Sequence, residues 1–155
     1  MAKNKASRGL IEFNNIFKES DNIYRELARY FGMSDCTFWI LYCLRTDYAE
    51  TTQSGICGSM FLPKQTINSA LKKLEAQGYI ELRRGGRNRR SKEIALTAEG
   101  ERLCEGTIDR LIEVENITLG GLCEAELEMF LRLFCRHTEL LKSNVREFIY
   151  GYGEK

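Results

Sequence analysis

Gln65 and Asn68, three residues apart, sit among the lysines Lys64, Lys72 and Lys73 and the hydroxyl residues Thr66 and Ser69. These types suit nucleic-acid chemistry. A carboxamide presents a donor and an acceptor that match an adenine edge in the major groove, and an ammonium group suits guanine or phosphate. Downstream, six of the ten residues from Arg83 to Lys92 are basic (Arg83, Arg84, Arg87, Arg89, Arg90 and Lys92), and no acid lies between Glu81 and Glu93. A cationic turn directly after a helix with a polar face is suited to lying along a polyanion while the helix enters a groove.

No other chemistry is organised in the chain. There is no phosphate-binding glycine motif before a lysine, no nucleophile arranged around a histidine and no cluster with metal-ligand spacing, so neither an enzyme nor a cofactor is expected. The six cysteines (36, 43, 57, 104, 123 and 135) contain no C-x-x-C pair, and His137 is the single histidine, which argues against structural zinc. Most of the thiols fall among apolar residues on predicted helices and read as small core hydrophobes. His137, with no placed partner, reads as structural.

The chain has 155 residues, 43% of them hydrophobic, and a formal net charge of +1. That size supports one compact domain, residues 1–155, without disulfides or metal. With so small a net charge, affinity for nucleic acid must come from where the charges sit. No run of about 18 apolar residues is present, and the basic start MAKNKASRG lacks the apolar core of a signal peptide. No membrane association is expected, and the expected location is the cytoplasm.

The elements that must position the polar residues are mostly helical. Residues 10–31 carry Ile16, Ile23, Tyr24, Leu27 and Phe31 at near-helical spacing, with Gly32 as the stop. Ser34 is placed to cap a second helix from Asp35 to about Tyr48 around the apolar FWILYCL, and a short third helix is expected from about Thr52 to Met60. Pro63 suits the first turn of the next helix. In that helix Ile67, Ala70, Leu71 and Leu74 gather on one side, and Gln65, Asn68, Ser69 and Lys72 on the other. Gly78 ends it, and Tyr79 to Arg84 and Glu93 to Leu96 form strands flanking a turn with Gly85 and Gly86. Thr97 is placed to cap a helix to about Asn116, Gly120 and Gly121 mark a break, and a last helix is expected from about Glu124 to Phe148. The fold class is therefore mainly α with a small β-hairpin wing.

The order of elements, LKKLEAQGYIEL from Leu71 to Leu82, RNRRSK from Arg87 to Lys92 and ALTAEGERL from Ala95 to Leu103 resemble the MarR family of transcriptional regulators over nearly the whole chain. The resemblance implies a homodimer. It also implies a winged helix-turn-helix lobe over residues 34–96, a recognition helix from Pro63 to Gln77, and dimerisation helices over 10–31 and 97–148. The expected partner is double-stranded DNA with a pseudo-palindromic site. Lys64, Gln65, Thr66, Asn68, Ser69, Lys72, Lys73, Arg87, Arg89, Arg90 and Lys92 would make the contacts.

Family members often act as repressors released by a small phenolic or lipophilic effector, and Tyr30, Phe38, Trp39 and Tyr42 are the residues expected to line such a cleft. Two positions depart from the family pattern. Asn88 stands where an aspartate usually braces the arginine at Arg90, and Cys123 stands where a serine or threonine often caps the last helix. The alternatives are a redox-sensing regulator of the same fold and a winged helix used for protein contact.

Overall fold

The computed structural model describes residues 5–46, 52–60, 63–84 and 92–151. By packing, the chain forms two compact units, Met1–Arg110 and Leu111–Lys155. In the first unit, α1 (Arg8–Tyr30) starts where the Ser7 hydroxyl accepts the Leu10 N–H at 3.2 Å. It stops at Gly32, whose φ of +68° lets Met33 donate back to the Ala28 carbonyl at 2.9 Å. Ser34 caps α2 (Asp35–Arg45), and Phe38, Ile40 and Leu41 make it the fully buried centre of the unit. Its last helical residue is Arg45, three before the expected end; Tyr48 lies outside the described residues.

Two further helices, α3 (Gln53–Met60) and α4 (Lys64–Ala76), pack on α2 and on each other, completing a helix-turn-helix. The hairpin follows. Strands β1 (Ile80–Arg84) and β2 (Lys92–Leu96) pair antiparallel in the register Ile80 with Leu96 and Arg84 with Lys92. With period-2 alternation, Ile80 and Ile94 point into the core, while Glu81, Arg83 and Glu93 take the opposite face. Thr52 adds a single antiparallel bridge to Glu93, so the entry to α3 rests on the sheet.

The helix expected to run unbroken from Thr97 to about Asn116 is two helices, α5 (Ala98–Gly106) and α6 (Ile108–Gly120). Thr107 interrupts them with φ −131° and ψ −76°, its hydroxyl donating to the Leu103 carbonyl at 2.6 Å. The physical reason lies in a residue 64 positions before Asp109. The Arg45 guanidinium binds Glu101 on α5 and Asp109 on α6 together. On a straight helix those two positions would stand roughly 12 Å apart along the axis.

In the second unit α6 ends at Gly120, four residues past the expected end near Asn116 and at the glycine pair that marks the break, and α7 runs Glu124–Tyr150. Cys123 takes the N-cap position, and the Glu126 carboxylate accepts its backbone N–H at 2.8 Å, which holds the Glu126 pKa low. No residue of this 27-residue helix is buried. Phe130, Leu131, Phe134 and Leu141 stand exposed along it, as do Leu10, Ile16, Phe17 and Ile23 along α1 in the first unit.

Candidate nucleic-acid interface

The interface is built on α4. Ile67, Leu71 and Leu74 are buried, each contributing about 1.5 to 3 kcal/mol of apolar burial. Holding those three inward turns Lys64, Gln65, Thr66, Asn68, Ser69, Lys72 and Lys73 to solvent, and all seven are exposed. Glu75, the penultimate residue, is the single acid of the helix, so the first eleven residues carry positive charge only. Lys64 and the positive end of the helix dipole favour an anion at the start of α4, while Lys72 and Lys73 carry the positive charge on toward its last turn.

One side chain on this face is already engaged. The Ser69 hydroxyl donates to the Gln65 carbonyl at 3.0 Å, leaving Ser69 only acceptor capacity. At the other end, Gly78 adopts φ +77° and Tyr79 donates to the Leu74 carbonyl at 3.0 Å, so the helix closes and the chain turns into β1.

A cleft of roughly 610 Å³ runs beside α4, and it brings Thr52, Gln53 and Ser54 at the start of α3 next to Lys64, Asn68 and Lys72. These α3 residues were not among the sequence candidates. The local signal for them was the T-x-S spacing: Thr52 accepts the Gly55 N–H at 3.1 Å and lies 3.2 Å from the Ser54 hydroxyl, a helix-start arrangement that fixes them at the edge of the cleft.

The hairpin is less cationic at its base than the bare sequence suggests. Arg83 donates through Nε at 2.7 Å and Nη2 at 2.5 Å to Oε1 of Glu81, and Glu93 stands opposite it in the register. Its charge is balanced locally. Arg87, Arg89 and Arg90 lie outside the described residues, and of Lys92 the structure describes the backbone, which opens β2 opposite Arg84.

The chain matches the model of the MarR family over residues 31–91. It is also 31% identical over 104 residues to the uncharacterised helix-turn-helix transcriptional regulator YwoH of Bacillus subtilis, covering 67% of this chain and 74% of that protein. The chain belongs to the MarR family. Among solved structures, a MarR family regulator from Neisseria meningitidis superposes with a TM-score of 0.77 at 21% identity, covering 91% of this chain and 99% of the other. The Staphylococcus aureus MepR–DNA complex superposes with a TM-score of 0.66 at 22% identity and the same coverage. At that identity the two structures share the MarR fold of mostly helical chain and two-stranded wing. As a MarR family protein, the chain is a helix-turn-helix transcriptional regulator by fold, and its relatives are regulators rather than enzymes.

The aromatic residues expected around an effector in this MarR fold divide into two places. Trp39 stands at the middle of a cluster, with ring centroids 5.4 Å from Phe38, 5.4 Å from Tyr42 and 5.2 Å from Tyr24 on α1. Tyr24, Trp39 and Tyr42 are half-buried, whereas Phe38 has no exposed surface and belongs to the core. Tyr30 pairs edge-on with Phe31 and is 83% exposed. Tyr24 joins the set by direct ring contact with Trp39, a relationship visible only once α1 is laid against α2.

Among the described residues no group of three or more histidine, cysteine or acidic side chains is arranged to hold a metal ion, and no helix is long and apolar enough to cross a membrane. Burial pushes the Cys36, Cys43 and Cys104 thiols up, Cys104 to about 11.

Proposed function

We propose that the protein is a sequence-specific regulator of transcription that binds duplex DNA as a two-fold dimer. The observation that carries this reading is the outward face of α4, where Gln65 and Asn68 are exposed among three lysines with no acid before Glu75. Gln65 and Asn68 read base edges, Lys64, Lys72 and Lys73 meet guanine or phosphate, and Thr66 and Ser69 add hydroxyl contacts. Arg87, Arg89, Arg90 and Lys92 on the wing meet phosphates or the narrow minor groove. The solved MepR–DNA complex on the same fold supports this assignment.

The unburied α7 and the apolar stripe of α1 support self-association. A second copy of the chain offers each of them a surface of matching character, and a closed pair places two recognition helices on a pseudo-palindromic site. Sedimentation of the purified chain of 17.9 kDa should then give about 36 kDa.

For regulation, the half-buried Trp39, Tyr42 and Tyr24 support a small aromatic or lipophilic effector that releases a repressor from its operator. The experiment that tests the reading is selection of duplexes from a random pool, followed by fluorescence anisotropy on the enriched sequence. Nanomolar binding with a clear excess over scrambled duplex supports it; no enrichment contradicts it.

A further inference from the structure

A pocket of roughly 120 Å³ lies between the α1–α2 turn and the last turn of α4, wholly within the first unit. That is room for about four waters, or for one organic molecule of about six heavy atoms. Its walls are fixed by closed backbone hydrogen bonds. On one side Met33 N–H donates to the Ala28 carbonyl at 2.9 Å, and the Ser34 hydroxyl accepts the Thr37 N–H at 3.2 Å. On the other, the Gly78 and Tyr79 N–H groups close α4 onto the Glu75 and Leu74 carbonyls at 2.9 and 3.0 Å. A pocket held in this way loses little freedom when it is filled.

The lining divides by chemistry. Phe31, Met33, Leu74 and Leu103 supply an apolar wall, and Ser34, Thr37, Lys73 and Gln77 supply polar groups. Thr37 is buried, and its hydroxyl lies 2.9 Å from that of Ser34, so the pair uses one proton between its members and keeps the other for a third group. Among the described residues Lys73 is the one charged group of the lining, and no acid joins it. Asp35, beside Ser34 in the chain, is paired with Arg25 of α1 at 3.9 Å. The carbonyls of Lys73, Leu74 and Glu75, which form the negative pole of α4, already accept N–H groups.

One cation, a spare hydroxyl proton and a carboxamide beside an apolar wall suit a small anion with a short hydrocarbon tail. We propose that this pocket binds a short-chain aliphatic carboxylate of about butyrate's size, with Lys73 and the Ser34–Thr37 hydroxyl pair holding the carboxylate and Leu74 and Leu103 the tail. The site shares no residue with the Tyr24, Trp39 and Tyr42 cluster and takes a smaller ligand. One consequence rests on the DNA-binding reading above. Lys73 cannot serve the carboxylate and a DNA phosphate at full strength together, so an occupied pocket weakens the duplex complex.

The test is an NMR titration of the isotope-labelled full-length protein with sodium butyrate, without DNA. Butyrate should bind with a Kd of about 1 mM or tighter, within what a ligand of about six heavy atoms can supply, and the shifted backbone amides should cluster at residues 31–37 and 73–79. Lys73→Met should weaken binding about tenfold or more, whereas Lys72→Met, which removes the next charge along, in the cleft beside Asn68, should leave it within about twofold. Butyramide, the neutral isostere, should bind about tenfold or more weakly. Equal binding of butyramide and butyrate, equal losses in the two lysine variants, or no cluster of shifts at these residues overturns the proposal. On the selected duplex, saturating butyrate should weaken wild-type binding about threefold or more relative to chloride at equal ionic strength, and Lys73→Met should remove that difference. Butyrate that binds without changing DNA affinity overturns the coupling. A chain that enriches no duplex overturns the DNA-binding reading and leaves the pocket to stand on the titration.

Discussion

The Thr97 hydroxyl donates to the Gly78 carbonyl at 2.5 Å and accepts the Gly100 N–H at 3.1 Å, so one side chain joins the exit of the recognition helix to the first turn of α5. The backbone repeats the tie, with Thr97 N–H donating to the Tyr79 carbonyl at 3.0 Å. Gly100 lies so close that a Cβ there would stand 2.0 Å from the Tyr79 carbonyl oxygen. The seam explains why a glycine follows Thr97 at three residues, and it fixes where α4 ends relative to the wing.

Breaking the seam should destabilise the fold. Thr97→Ala removes a helix cap and is expected to cost about 1 to 2 kcal/mol in urea denaturation. Gly100→Ala meets backbone that cannot swing aside, and is expected to cost about 1 to 3 kcal/mol. Unchanged midpoints for both would show that the seam is incidental.

On the recognition face, Gln65→Ala and Asn68→Ala should each cost about 1 to 3 kcal/mol on the selected duplex and less on scrambled DNA. Ser69→Ala should cost less than either, because its hydroxyl proton is already given to the Gln65 carbonyl. Anisotropy on both duplexes checks the ranking; equal losses on the two DNAs for Gln65 and Asn68 would remove the base-reading role.

Much of the fold was legible in local sequence. Gly32 and Gly78 announce two helix ends because only glycine enters φ near +70° without strain, and Ser34 and Thr97 announce two starts because their hydroxyls replace missing helical acceptors. The sidedness of α4 followed from Ile67, Leu71 and Leu74 at helical spacing. The break at Thr107 was not legible, since its flanking residues are compatible with helix and the groups that bracket it answer to Arg45, which is distant in sequence. Nor was the compensation of Arg83 by Glu81. A run of basic residues counts charges, while the strand's period of two decides which acid reaches which base.

Reactivity should sort the thiols by burial. Cys43 and Cys104 are buried with raised pKa values, Cys104 near 11, so little thiolate exists at neutral pH, whereas Cys123 and Cys135 are exposed. Native-state alkylation with iodoacetamide, mapped by mass spectrometry, should label Cys123 and Cys135 well before Cys43 and Cys104. Mild peroxide should leave DNA binding unchanged. Reversible release that Cys123→Ser or Cys36→Ser abolishes would instead make the protein a redox sensor.

The Arg45 clamp should also shape the acid limb of stability. Its hydrogen bonds hold the Asp109 pKa below the usual carboxylate value, so the group binds its proton less readily folded than unfolded. The stabilisation it brings is complete above the unfolded pKa, about 3.9, and is lost as pH falls through the lower folded value. Asp109→Asn should therefore be less stable than wild type at neutral pH, with the gap narrowing in that acid window. A gap that stays constant to the acid end would show that the Asp109 charge contributes nothing.

The central claim is that the α4 face and the wing read a specific duplex, and affinity across a salt series on selected and scrambled DNA tests it most directly. On the selected duplex at physiological salt the expected Kd is about 10 nM or tighter, and roughly a thousandfold or more weaker on the scrambled one. The logarithm of affinity should fall linearly with the logarithm of salt on both, as phosphate contacts release counterions. Equal affinity for the two sequences at every salt concentration would contradict the claim.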